Sequence, residues 1–259
     1  MRIATFTVTR DEKTFLPRWV KNSLKNFDPK DIYILDHQSE DGSVDDARSL
    51  GCNVETIYPP ENPDASWFRD KMRQTQRDLL QKYDWVLFSE SDEFVIPNPE
   101  IGNLRDVAQR MKSEGIDFAR CTGFDIVHDY TREPAMDFSA DLWLPQRGRC
   151  VPWFPPFNRK MLYSKPIFSR VPLNWRNGFH DVGDENGRPI DVTRLEYLYL
   201  IHCHFLDMGE TERRHSLRLR SQKEFTHGAQ LEMGNELKAK FDNMLGISYE
   251  IPEKIKELF

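Results

Sequence analysis

The sequence predicts an α/β fold, a mostly parallel sheet flanked by helices that runs into a more irregular second half. Three observations carry this. Short β-rich runs alternate with amphipathic helical stripes through the first half of the chain. One run, Trp85-Val86-Leu87-Phe88, is apolar throughout, as a strand buried on both faces is. Residues 129 to 195 break the pattern, being rich in Pro, Gly, Trp and Arg with only short strand-like pieces.

Ile3 to Val8 is the first strand. Phe15, Leu16, Trp19, Val20, Leu24 and Phe27 then make a helical stripe, with Pro17 tolerated in its first turn. Asp31 to Leu35 is the second strand. A polar loop follows it, and a short helix marked by Val44, Ala47 and Leu50 ends at Gly51. Val54 to Tyr58 is a third strand, and Phe68, Met72, Leu79, Leu80 and Tyr83 line one face of a longer helix. After Trp85–Phe88, Asn103 is placed to cap a helix carrying Leu104, Val107, Ala108 and Met111. Gly115 stops that helix, and a strand resumes at Phe118–Cys121. Later, Lys160–Tyr163, Ile167–Val171 and Leu195–Cys203 read as strands, and 210–227 and 234–245 as helices.

The bulk composition excludes several classes. A net charge of −6 over 259 residues argues against a dedicated nucleic-acid or anionic-membrane surface. No apolar run approaches a membrane span, and Met1–Arg10 reads as a strand, not a signal peptide. Cys52, Cys121, Cys150 and Cys203 are scattered, so neither a disulfide framework nor a Cys-rich zinc site is expected. The expected setting is a reducing cytoplasm.

The segment richest in chemistry is Phe88-Ser89-Glu90-Ser91-Asp92-Glu93-Phe94, directly after the apolar strand. Carboxyl ends of parallel strands open onto the ligand crevice. In extended chain Glu90 and Asp92 face the same way, and two converging carboxylates suit Mg²⁺ or Mn²⁺. The plainer alternative is a set of solvated acids capping the next element. Thr9, Asp11 and Glu12 follow the first strand, and Asp36-His37-Gln38-Ser39-Glu40-Asp41-Gly42-Ser43 follows the second. Both loops belong at the same edge as the acidic cluster. The second loop offers carboxylate, imidazole and hydroxyl groups suited to a nucleobase or ribose, although Ser-x-Asp-Gly is also an ordinary turn. Arg69 and Arg73 share a helix face that could meet a diphosphate, against the plainer reading of a solvated face. His180 lies in a loop, and His202 and His204 alternate on a strand; structural histidines compete with ligands here. Trp143, Trp153, Phe154, Phe157 and Trp175 suit either sugar stacking or core.

Three segments together resemble the family 2 glycosyltransferases. Val8-Thr9-Arg10-Asp11-Glu12 with Phe15-Leu16-Pro17-Arg18-Trp19 is similar to that family's opening, Leu35-Asp36 to Ser43 to its Asp … Ser-x-Asp-Gly-Thr loop, and Trp85 to Phe94 to the strand entering its Asp-x-Asp metal motif. Lys160–Tyr163, Gly178-Phe179-His180 and His202–Phe205 extend the likeness more weakly, so it covers most of residues 1–225. Glu90 stands where the family has Asp, Asp11 where it has Asn, and Arg18 where it has Glu.

The resemblance implies a GT-A fold, a Rossmann-like mostly parallel sheet flanked by helices. It implies one domain over residues 1–259, with 1–125 as the nucleotide-sugar-binding half and 126–259 as the acceptor side with C-terminal helices. It implies a nucleoside-diphosphate sugar donor, UDP-linked ahead of others, and Mn²⁺ or Mg²⁺ on the diphosphate. Glu90 and Asp92 would hold the ion, with His180 first and His204 second as the further ligand. Thr9, Asp11, Glu12, Asp36, His37, Ser39, Asp41, Arg69, Arg73 and Ser91 would line the donor site. Transfer with inversion to a glycan or lipid-linked hydroxyl, in surface-polysaccharide synthesis, needs a base, for which Asp125, Asp181 and Glu93 are candidates. The competing readings are a catalytically inactive nucleotide-sugar-binding relative and a nucleotidyltransferase. The second is disfavoured because the Thr9–Lys13 loop lacks glycine.

Overall fold

The computed structural model describes residues 1–60, 65–152, 165–176, 178–184, 186, 188, 190, 194–220 and 233–259. The expected strand at Lys160–Tyr163, the aromatics Trp153, Phe154 and Phe157, and the end of the expected helix 210–227 lie outside them. The chain forms two compact units. The first is Met1–Thr122 with Ser164–Leu200, and the second is Gly123–Tyr163 with Ile201–Phe259.

In the first unit β1 (Ile3–Thr9) is central. It pairs in parallel with β2 (Ile32–Asp36) on one side and β4 (Trp85–Phe88) on the other, while β3 (Asn53–Thr56) pairs in parallel with β2. This is the parallel sheet that the strand–helix alternation predicts. Between these strands lie α1 (Leu16–Ser23), α2 (Asp45–Ser49) and α3 (Ala65–Leu80). The Glu12 carbonyl accepts from the Phe15 and Leu16 N–H groups, which turns the chain into α1, and Leu16, Trp19, Val20 and Ser23 are the buried stripe. Gly51 takes φ 86° just after α2, a left-handed conformation that glycine adopts without a Cβ penalty.

After β4 the chain departs from expectation. Glu90 to Glu93 is a tight turn closed by the Glu93 N–H on the Glu90 carbonyl at 3.0 Å, not extended chain. The alternation that would aim Glu90 and Asp92 together therefore does not operate. A further strand, β5 (Glu93–Pro97), begins at the turn. Next comes α4 (Leu104–Ser113), where Asn103 and Asp106 form a reciprocal capping box. Then β6 (Phe118–Val127) continues six residues past the expected Cys121 and leaves the first unit at Thr122.

Within residues 129–195 the described elements are short, as the composition predicts. β7 (Arg149–Pro152) pairs antiparallel with the end of β6, Asp125 opposite Val151. The remaining strand of the first unit is β8 (Pro166–Ser169), antiparallel to β4 and to the start of β6. β9 (Arg194–Phe205) pairs with β5 and then passes into the second unit. It is followed by α5 (Met208–Arg220), α6 (Gly234–Gly246), β10 (Tyr249–Glu250), which pairs with β7, and α7 (Glu253–Lys256).

Each unit has its own core. In the first, Phe6 stacks on Phe88 at 4.8 Å, and Trp175 and Phe179 close on Phe88 at 5.2 and 5.0 Å. In the second, Val127, Val151, Phe205, Leu237, Phe241 and Met244 pack together. Trp175 and Trp143 are fully buried, so both belong to core, not to an open sugar platform. Among the described residues no helix is long and apolar enough to cross a membrane.

Candidate functional site

Because β1, β2 and β4 are parallel, their carboxyl ends share one edge of the first unit, with Thr9 opposite Asp36 and Phe6 opposite Phe88. The loops after β1 and β2 are laced together there. The Asp11 N–H donates to Ser39 Oγ at 3.1 Å, the Glu40 N–H to Asp11 Oδ1 at 2.7 Å, and the Lys13 N–H to Asp41 Oδ2 at 2.9 Å. Asp36, at the tip of β2, is buried; it accepts from the Ser39 N–H at 2.9 Å and lies 3.6 Å from Arg48. Asp11 and Gln38 hold φ of 51° and 58° although neither is glycine. Such backbone is unfavourable by about 1–3 kcal/mol and persists where surrounding bonds over-determine it, as the lacing does here.

Among the described residues, Thr9 Oγ1, His37 Nε2 and Ser43 Oγ are buried polar atoms on this edge without a protein hydrogen-bond partner. A buried polar group left unpaired costs roughly 1–3 kcal/mol, so three in adjoining loops are unusual. Ser43 was not among the expected ligands; its place at the end of a hydroxyl- and carboxylate-rich loop is the only signal the sequence offers.

Burial, helped by Arg10, pulls the His37 pKa below its ordinary 6.5, against the opposing pull of Asp36 and Asp11. The unfolded chain therefore takes up this proton first as pH falls. The His37 contribution to stability is complete above pH 6.5 and is lost on going down towards the folded value. His37→Gln is expected to flatten this part of the pH–stability curve. Urea denaturation between about pH 7 and about pH 5 checks it, and an unchanged slope contradicts it.

The acidic turn follows β4. Its geometry comes from the antiparallel register of β4 and β8. Leu87 stands opposite Phe168, and that register continued three residues sets Lys165 beside Glu90. The Lys165 ammonium, 3% exposed, lies 2.5 Å from Glu90 Oε2 and 2.5 Å from Glu93 Oε1. Glu93 is fully buried, and its second oxygen accepts the Glu90 N–H at 3.0 Å. Burial pushes the Lys165 pKa down, and Glu90 and Glu93 more than offset this, leaving it above the usual lysine value. Ser91 and Asp92, both buried, sit at the corner of the turn.

The other expected residues are dispersed. Arg69 bonds Asp70 at 3.0 Å, and Arg73 bonds Asp70 and the Trp175 carbonyl. Asp181 pairs with Arg120 at 2.6 Å, and the same guanidinium donates to the His180 carbonyl at 2.5 Å. Glu12 is buried at the start of α1. In the second unit Asp125 is fully buried with its Oδ1 3.1 Å from His202 Nδ1. His204 Nε2 lies 3.3 Å from the Nε2 of His215, a residue the sequence reading did not single out.

Fold and edge together define a parallel α/β unit with a buried, acidic, polar rim at its carboxyl end. No family model matches the chain, and no curated protein matches it. Among solved structures it is similar to TarS of S. aureus, at 15% identity and a TM-score of 0.39, over 94% of this chain and 43% of that one. It is similar to glucosyl-3-phosphoglycerate synthase from Mycobacterium tuberculosis in complex with Mn²⁺, UDP-glucose and phosphoglyceric acid, at 19% identity and a TM-score of 0.33, over 47% and 43% of the two chains. It is also similar to the mannosyltransferase PcManGT from Pyrobaculum calidifontis in complex with GDP-Man and Mn²⁺, at 13% identity and a TM-score of 0.33, over 46% and 35%. The chain spans less than half the length of each. Overlaps of this quality assign neither a family nor a ligand.

Proposed function

We propose that the chain is a metal-dependent glycosyltransferase that binds a nucleoside-diphosphate sugar at the carboxyl edge of β1, β2 and β4. The observation that carries this reading is the set of buried, unpartnered Thr9 Oγ1, His37 Nε2 and Ser43 Oγ atoms on that edge. The three segments that resemble the family 2 glycosyltransferases all lead to the same edge. Thr9, His37 and Ser43 would bond the nucleoside, and Asp36 would orient the loop that carries two of them.

The donor set of the turn fits a hard cation. Among the described residues Glu90, Asp92 and Glu93 bring three carboxylates to the turn, the hard oxygen ligands such an ion takes, with the Lys165 ammonium on two of them. Asp92 is the proposed protein ligand in the turn, and His180, in the same unit, is the candidate for the later histidine. A divalent ion, Mn²⁺ or Mg²⁺, supplies there the positive charge that stabilises a departing diphosphate. Among the base candidates Asp125 and Glu93 are fully buried, whereas the Asp181 side chain is 38% exposed, so Asp181 is the first to test. A UDP-linked donor and inverting transfer to a glycan or lipid-linked hydroxyl, in surface-polysaccharide synthesis, are finer proposals that rest on the resemblance.

The test is release of nucleoside diphosphate from a donor panel in Mn²⁺, Mg²⁺ or EDTA. UDP-glucose and GDP-mannose, held by two of the similar structures, belong in the panel. Metal-dependent release from at least one donor is the expected result, and no binding and no release with any donor rejects the reading. Binding without release selects an inactive nucleotide-sugar-binding relative, the reading that Lys165 on Glu90 favours.

A further inference from the structure

The Glu90–Glu93 turn already holds a cation that belongs to the chain. The Lys165 ammonium bridges one oxygen of each glutamate. The position is built. Lys165 and Glu93 are almost entirely buried, the β4–β8 register delivers the lysine, and the Glu90 N–H bond to Glu93 ties the two glutamates together. Glu93 is buried and Glu90 is about a third exposed, and with both carboxylates turned to one point the Lys165 ammonium offsets their mutual repulsion.

We propose that Lys165 is a tethered counter-cation occupying a latent divalent-cation site formed by Glu90 and Glu93, and that removing its ammonium turns this position into a Ca²⁺- or Mn²⁺-binding site. The inference goes beyond the functional reading and does not need sugar transfer to hold. Lys165 is a positioning residue. It sets the shape of the turn that presents Asp92, and it keeps Glu90 engaged from within the protein.

The experiment is thermal denaturation of Lys165→Met, in EDTA and with Ca²⁺ or Mn²⁺ added, beside the unsubstituted chain. All variants also carry Asp92→Ala, which removes the cation ligand of the proposed donor site, so that failure here and failure of the functional reading are separable. The charge-balanced double change Lys165→Met with Glu93→Gln provides the control, since it removes one carboxylate with the ammonium. In EDTA the Tm of Lys165→Met falls. Saturating Ca²⁺ or Mn²⁺ raises it by about 5–10 °C, given a metal level near a hundredfold its Kd. The Lys165-containing chain and the double variant show no comparable rise. If neither ion raises the Tm of Lys165→Met beyond the response of the Lys165-containing chain, the proposal is overturned, whether or not that variant is folded in EDTA. An equal rise in the double variant also overturns it, because the ion is then bound elsewhere.

Discussion

Asp92→Ala is expected to lower metal-dependent donor turnover by about a hundredfold or more, the effect of removing one element of transition-state charge stabilisation in a site screened from water. The substitution removes the acid at the corner of the turn and leaves the Lys165 bridge between Glu90 and Glu93 in place. A thermal transition measured beside the parent chain separates loss of the ligand from loss of the fold. Asp92→Asn keeps the shape and loses the charge, so it should be nearly as inactive. Full turnover in either variant, with retained Mn²⁺ dependence, removes Asp92 from the proposed metal site.

Arg147→Met is expected to cost the second unit about 3–5 kcal/mol, the range for stranding one member of a buried ion pair. The Arg147 side chain is 0% exposed. Its guanidinium donates to the Leu206 carbonyl at 2.6 Å, to the Pro134 and Gln146 carbonyls at 3.2 and 2.8 Å, and to Asp207 Oδ2 at 3.2 Å. Asp207 in turn accepts the Met136 and Glu210 N–H groups, both at 2.9 Å, the second of these capping α5. Methionine fills similar volume, so the loss is electrostatic and hydrogen-bonding, not a cavity. Arg147→Lys should fall in between, since an ammonium cannot reach four acceptors in a fork. Urea denaturation followed by circular dichroism measures both. A loss under about 1 kcal/mol for Arg147→Met would mean that the hub is not needed for stability.

What was legible in the sequence is what local chemistry decides. The apolar run Trp85–Phe88 announces a strand buried on both faces, Asn103 announces a helix cap, and Gly51 marks a helix end. What was not legible depends on distant chain. Phe94, Val95 and Ile96 are an apolar run in their own right, but the turn at Glu90–Glu93 that opens β5 is closed by the Glu93 N–H on the Glu90 carbonyl, which acids compatible with extended chain do not announce. Lys165 meets Glu90 only because β8 returns antiparallel beside β4, 75 residues along the chain. No local pattern distinguishes that lysine from a surface one. Arg147 looks like a loop arginine until the chain near Asp207 closes around it. The candidate site divides the same way. The edge carrying Thr9, Asp36 and the acidic turn follows from strand order, whereas the lacing of Asp11 to Ser39 and Glu40 follows from how two loops meet.

Titration calorimetry of UDP into the unsubstituted chain, once with Mn²⁺ and once with EDTA, puts the nucleotide edge and its cation to trial together. Binding at one site, tightened about tenfold or more by Mn²⁺ and losing that gain in Asp92→Ala, is the predicted result, a difference of about 1.4 kcal/mol. The same affinity in Mn²⁺ and EDTA, or no heat in either, would contradict the account.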